Sequence, residues 1–216
     1  MRSRMPNLCA LCGINLATTK DHIPPRGIYP KAIRHGINFN TVPACKECNN
    51  GASMDDEEFK MFVGFNTGEY QEHPEIVIDS LAGTIGNNKK IANQIFATKK
   101  NVYAYRGRSV LEPAVAVMFN GRKLSKVISR VIRGLYWEKK GKALGYKSDI
   151  QIFMPQYMQS EFFRSMKDVM DCSSPNYLNR KTFVYKCQFC EDGSSIWGMQ
   201  FFKKLSIFGY AEAPKT

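Results

Sequence analysis

Two short motifs constrain this chain before anything else: Cys9-x-x-Cys12 and Cys45-x-x-Cys48, with 32 residues between them. Each pair forms a tight knuckle that presents two thiolates, and together they make a four-sulfur site for one tetrahedral Zn²⁺. Residues 1–60 are rich in Cys, Asn, Pro and Gly and poor in long periodic segments. Such a segment has little hydrophobic core, so a metal staple supplies folding energy. Four thiolates leave no open coordination position, and this zinc is expected to be structural. Cys187-x-x-Cys190 is a third pair, but only Cys172 remains to join it. Its surroundings, residues 182–189, alternate like a strand. No second zinc is expected there.

The remaining composition sets the class of protein. The chain has 216 residues, 44% of them hydrophobic, enough to bury a core and to exclude a mostly disordered polymer. Its longest apolar stretches, such as 112–119, are far too short to span a bilayer. The first residues, Met-Arg-Ser-Arg-Met-Pro, lack an apolar core, so no secretory signal is expected. A cytoplasmic location follows as the simplest expectation, with cysteines reduced or metal-bound. The formal net charge is +12. That predicts a polyanionic partner, nucleic acid before an anionic membrane surface. The charge is uneven: residues 89–147 hold 15 Lys and Arg against two acids, Glu112 and Glu138. Tyr103, Tyr105, Tyr136 and Trp137 are interleaved with these cations, a mixture suited to phosphate backbone and exposed bases.

Periodicity outlines an α+β chain. Residues 54–65 read as a helix, with Ser53 as cap, Asp56 as partner in a partial capping box, and acids crowding its first turn. Residues 66–88, punctuated by Gly68, Pro74, Gly83 and Gly86, read as a connection. Residues 91–96 are too short to assign. Residues 102–105 and 115–119 read as strands, with Asn120-Gly121 as a turn. The clearest helix is 123–139, where Leu124, Val127, Ile128, Val131 and Leu135 share one face. Lys126, Arg130 and Arg133 fall on another face and are candidates to lie along a phosphate backbone. A strand at 150–154, a helix at 159–170, and strands at 183–187, 196–202 and 205–210 complete an antiparallel end. Two units are expected: a zinc-bound module over 1–68, and a basic nucleic-acid-binding or partner-binding α+β region over 69–216.

The chemistry lies between the knuckles. Lys20-Asp21-His22-Ile23-Pro24-Pro25 follows the first, Asn40 stands five residues before Cys45, and Asn49-Asn50 follows Cys48 directly. This ordered set resembles the HNH endonucleases of the zinc-stapled type, the ββα-metal nucleases, over residues 9–60. A looser likeness to C-terminal regions of some bacterial HNH proteins covers Arg130-Val-Ile-Arg-Gly-Leu-Tyr and the Ser195–Phe202 segment. The resemblance implies His22 as general base toward water, a role that suits a group titrating near neutrality. It implies Asp21 and Asn49 as ligands of one divalent cation, Mg²⁺ or Mn²⁺. It implies Asn40 as the side chain that holds the loop carrying His22. Many relatives have His where Asn49 stands, with Lys three residues later, where this chain has Ala52. Asn50, Asp55 and Asp56 are further candidates for the cation. Arg26, Lys31 and Arg34 are near enough in sequence to contact backbone, whereas His35 and His73 read as surface histidines.

The expectation is therefore a metal-dependent phosphodiesterase acting on nucleic acid, with DNA favoured over RNA. By resemblance, a bacterial anti-phage effector held in check by a partner such as an ATPase is one role for it. The competing readings are a non-catalytic zinc-containing nucleic-acid binder and an RNA-cleaving toxin acting on tRNA.

Overall fold

The computed structural model describes residues 7–51, 53–105, 110–154 and 160–214. It is a mixed α+β fold, as expected, with an N-terminal strand pair, two further antiparallel sheets and six α-helices among those residues. The first hairpin pairs β1 (Thr19–His22) with β2 (Thr41–Ala44), His22 opposite Thr41 and Asp21 opposite Val42. A short helix α1 (Lys46–Asn50) follows at once, then α2 (Ser53–Thr67). The order β1-β2-α1, a hairpin followed by a helix, starts between the two knuckles and ends just after the second.

Residues 66–88 are not a connection. They contain α3 (Pro74–Asn87), and α4 (Lys89–Thr98) follows with Asn88 as its cap, accepting from the N–H groups of Lys90 and Ile91. The punctuation misled because Pro74 stands at the first helical position, where its missing N–H costs nothing. Gly83 and Gly86 lie on the outer side, where a Cβ would meet nothing within 4 Å. Val77 and Leu81 point inward and pack with Met61, Ile91 and Ile95.

A second hairpin pairs β3 (Lys100–Tyr105) with β4 (Leu111–Ala116). The expected strand at 115–119 ends early. Asn120 is a helix cap, not a turn residue: its Oδ1 accepts from the N–H groups of Arg122 and Lys123 and opens α5 (Gly121–Lys140). An Asn can cap as well as turn, and the amphipathic run behind it decides. Gly141, at φ +66°, ends α5 in the left-handed region.

The C-terminal sheet has five antiparallel strands in the order β5-β9-β8-β7-β6: β5 (Ile150–Phe153), β6 (Asn176–Leu178), β7 (Phe183–Phe189), β8 (Ser195–Phe201) and β9 (Leu205–Ala211). Strand β6, three residues long, had no periodic signal. One face of the sheet packs on α5. Gly209 is needed there, because a Cβ at that position would lie 2.4 Å from Ile132 Cδ1. The other face packs on α6 (Ser160–Asp171), whose Met166 and Met170 meet Phe208. Residue 159, the expected start of that helix, lies outside the described residues.

A boundary at 68 does not divide the core. One continuous cluster runs from Cys9 and Ile23 through Phe59 and Val131 to Trp197 and Ile207. Tyr29 seals it: its ring packs on Phe202 at 5.4 Å, and its hydroxyl accepts hydrogen bonds from Asn179 Nδ2 at 2.9 Å and Thr182 Oγ1 at 3.2 Å. A buried carboxylate, Glu58, ties three helices together. It accepts from Gln94 Nε2, from the Asn120 N–H and from Lys123 Nζ.

Candidate functional site

The four knuckle cysteines converge. The first knuckle turns through Gly13 at φ +70°, whose N–H donates to the Cys9 carbonyl, and the Ala10 N–H ties it to Pro43 on β2. In the second, Cys45 precedes α1 and Cys48 sits one turn into it. The four sulfurs lie within 4.8 Å of one another. A tetrahedron of ~2.3 Å Zn–S bonds places its sulfurs about 3.8 Å apart, so the group can hold a zinc ion. Burial and the neighbouring sulfurs push the Cys48 thiol far up, and burial raises Cys45 as well. Cys12 moves the other way, since backbone N–H groups of Asn15 and Ile14 outweigh its burial. Among the described residues this is the only group of three or more His, Cys, Asp or Glu side chains placed to hold a metal. Cys187 lies within β7, in keeping with the strand reading of its motif.

His22 ends β1, and the pleat sends it and Asp21 to opposite faces. The imidazole meets the Phe39 ring edge-on at 5.9 Å. The exposed Arg26 guanidinium lies 5.5 Å from the same ring. Burial, then the Arg26 charge, holds the His22 pKa below its ordinary value, with Arg34 adding to this and Asp21 opposing it. These surroundings favour the neutral form of the imidazole over the charged one.

Asp21 points the other way and is only 6% exposed. Its Oδ1 accepts the His22 N–H at 2.8 Å. Its Oδ2 lies 3.1 Å from Arg130 Nε, off the N–H line, so both atoms are buried without an aligned hydrogen bond. Arg130 Nη2 binds Asp56 on α2. Burial raises the Asp21 pKa against the pull of Arg130, and it lifts Asp56 to about 6. Asp56, and not its neighbour Asp55, therefore joins Asp21 around one guanidinium.

Asn49 is returned to the same strand. Its amide donates to Thr19 Oγ1 and to the Lys20 carbonyl, each at 3.1 Å. Both acceptors sit at the nitrogen end, which turns the carbonyl oxygen away from β1 as the available ligand atom. Asn50 is exposed. Ala52 lies outside the described residues.

Asn40 works differently from the expectation. Its backbone carbonyl accepts the Ile23 N–H at 3.0 Å, which fixes the exit from His22. Its side-chain amide instead donates to Glu138 Oε2 on α5, at 2.9 Å. Two of the three α5 cations expected on a nucleic-acid face are also turned inward. Arg130 is held by the two carboxylates, and Arg133 donates to the carbonyls of Gly145 and Ser148. Lys126 is exposed.

No family model, curated protein or solved structure matches this chain. The site therefore rests on its geometry alone. No described helix is long and apolar enough to cross a membrane.

The hard oxygens here fit a small divalent cation. Asp21 Oδ2 is a buried carboxylate atom without an aligned donor, and the Asn49 amide oxygen is turned outward. Arg130 is the departure from that fit, because it already brings a positive charge to Asp21. The partners that matter most here, Arg130 with Asp56, Glu138 and Thr19, carried no local motif. Their sequence separations leave nothing for spacing to detect.

Proposed function

We propose that this chain is an endonuclease of the HNH type, hydrolysing phosphodiester bonds in nucleic acid. The observation that carries the reading is the half-buried His22 imidazole, packed edge-on to Phe39 at the end of a hairpin whose β2 end runs into the cysteine cluster. An exposed Arg26 stands beside it, and an Asn49 amide is brought back to the same strand. His22 accepts the proton of the attacking water, and Arg26 meets a phosphate oxygen. Phe39 excludes solvent from one side of the imidazole and holds its plane. Asp21 and Asn49 would hold Mg²⁺ or Mn²⁺, which when bound supplies charge stabilisation to the phosphate. The zinc in the cysteine cluster clamps the two ends of the hairpin and takes no part in bond cleavage.

The test uses supercoiled plasmid, single-stranded DNA and RNA, with and without the divalent ion, alongside His22→Ala. The ion is omitted, not chelated, so that the zinc stays. Cleavage that needs both the ion and His22 is expected. Cleavage by His22→Ala at the wild-type rate would overturn the reading. A second reading, a zinc-containing nucleic-acid binder without activity, is favoured by one observation: Arg130 satisfies the charge of Asp21 within the fold. Salt-sensitive binding with no cleavage by either protein would select it.

A further inference from the structure

The basic segment 89–147 divides in two in the folded protein. In its second half Arg130, Arg133, Lys139 and Lys140 are committed to carboxylates, carbonyls, Asn176 and aromatic faces. N-terminal to these, Lys99, Lys100, Arg122 and Lys126 are exposed. Lys99 lines a cavity of about 1500 Å³ formed by α2, α4, the β3–β4 hairpin, the start of α5 and β5, and Lys100, Arg122 and Lys126 are each next in sequence to a lining residue. The cavity is larger than the ~300–1,000 Å³ of ordinary small-molecule sites.

The lining is aromatic and exposed. Phe65 is 49% exposed, Phe96 64% and Tyr103 73%, and Met118 and Val115 stand beside them. Tyr103 shares its strand face with Tyr105, also exposed. A globular chain rarely leaves so many large apolar side chains together in water without a partner for them. Among the described residues of the wall, Glu69 is the one acid.

We infer that this groove binds single-stranded nucleic acid, with unstacked bases against Phe96 and Tyr103 and phosphates against the rim cations. A duplex offers sugar and phosphate outward and keeps its base faces stacked inside, so it has nothing for the aromatic floor. An apolar peptide would use the floor but not the four cations. A single strand uses both, through stacking and backbone charge. Helix α5 joins the groove to the nuclease site. Ser125 lines the groove and Arg130 touches Asp21, five residues and about 8 Å along the axis, on the order of two nucleotide steps. The inference rests on the nucleic-acid part of the function proposed above, but not on cleavage.

The test measures fluorescence anisotropy of labelled dT15, rU15 and a 15-base-pair duplex, without divalent ion, across a salt series. The proteins are the full chain and the variants Phe96→Ala/Tyr103→Ala, Phe96→Tyr/Tyr103→Phe, Lys99→Ala/Lys100→Ala and His22→Ala. Wild type is expected to prefer single strands. The double alanine variant is expected to lose roughly tenfold or more on them, with duplex binding and thermal midpoint unchanged. The ring-preserving variant should bind as wild type, and the lysine variant should lower the salt slope by about 1 to 2. The ratio of dT15 to rU15 affinity tells DNA from RNA. Binding is read without divalent ion and cleavage separately with it, by wild type and His22→Ala, which separates the groove from the catalytic reading: cleavage can fail while the aromatic effect on binding stands, or the reverse. Undiminished single-strand binding by the double alanine variant overturns the inference, as does equal loss on single strands and duplex. No binding of any nucleic acid overturns it too. Self-association that the alanine variant abolishes, with nucleic-acid binding intact, gives the groove to a second protein chain and also overturns it.

Discussion

Gly134 sits in the middle of α5, where glycine is a poor helix former, and replacing it by alanine tests how the hairpin is seated. On propensity alone Gly134→Ala should stabilise the protein by about 1 kcal/mol. The structure argues the opposite. A Cβ at 134 would lie 2.6 Å from Ile23 Cγ1 and 2.8 Å from Ile23 Cδ1, and Ile23 is fully buried. Forcing a methyl into such a packed contact costs about 1–3 kcal/mol. The net expectation is a loss of roughly 0–2 kcal/mol, or up to about 8 °C in thermal midpoint at ~2–4 °C per kcal/mol for a chain of this size. Ile23→Ala alone should cost about 2–5 kcal/mol through the cavity it leaves. In that background the added methyl has room, so Gly134→Ala should turn stabilising. Urea denaturation of the four proteins in the cycle gives the coupling directly, and about 1–3 kcal/mol is expected from neighbours in contact. If Gly134→Ala stabilises equally in both backgrounds, α5 does not press on Ile23. The placement of His22, one residue earlier, would then lose its structural support.

Three further outcomes follow from the same contacts. Cys45→Ser should reduce the zinc content measured by mass spectrometry on native protein below one per chain, with loss of cooperative unfolding, because a three-thiolate site gives up much of its binding free energy. Glu58→Gln should cost about 1.5–3 kcal/mol at pH 7, since charged hydrogen bonds to α4 and α5 are weakened. Its three donors hold the Glu58 pKa below the ordinary value despite burial. That contribution is complete above the unfolded pKa of ~4.3 and fades as pH falls through the lower folded value, so the difference between the two proteins should shrink in acid denaturation. Arg130→Met should destabilise by about 3 kcal/mol in urea, because it leaves Asp21 and Asp56 facing each other without a cation. Millimolar Mg²⁺ should restore more stability to this variant than to wild type, and equal effects on both would argue that no divalent ion reaches Asp21.

What the sequence disclosed about the fold was whatever repeats at short range. The apolar spacing in 123–139, the alternation of β7 to β9 and the paired cysteines each carry their own period, and each formed the expected element. Helix α3 was hidden because its punctuation is ambiguous: proline is harmless at the first helical position, and a glycine inside a helix weakens it by only about 1 kcal/mol. Pro74 opens the helix and Gly83 faces solvent, so neither acts as a breaker. Asn120 was hidden for a related reason, since the same side-chain oxygen that closes a turn can cap a helix. The amphipathic run behind it favours the cap, and Glu58, 62 residues away, adds to that arrangement by accepting the Asn120 N–H.

The site was legible in its residue types and much less so in its contacts. Asp21, His22, Asn40 and Asn49 were singled out, and the fold brings all four to one hairpin or its edge. The roles of their partners were not visible. Arg130 looked like a phosphate contact because it lies on the basic face of an amphipathic helix, and a charged residue on a polar stripe ordinarily meets solvent. It meets carboxylates because α2 and β1 pack over that stripe, leaving α5 open at its first turn, at Lys126 and at its last turn. The same packing explains why the aromatic groove went unseen. Tyr103 stood out among the cations as suited to exposed bases, but Phe65 and Phe96 belong to two other elements, and each reads as an ordinary apolar residue of its helix. Only the failure of those elements to close on one another leaves the rings in water beside unpaired lysines. A helix face read from sequence thus predicts exposure correctly when one layer covers it, and fails where the chain returns to cover the polar side as well.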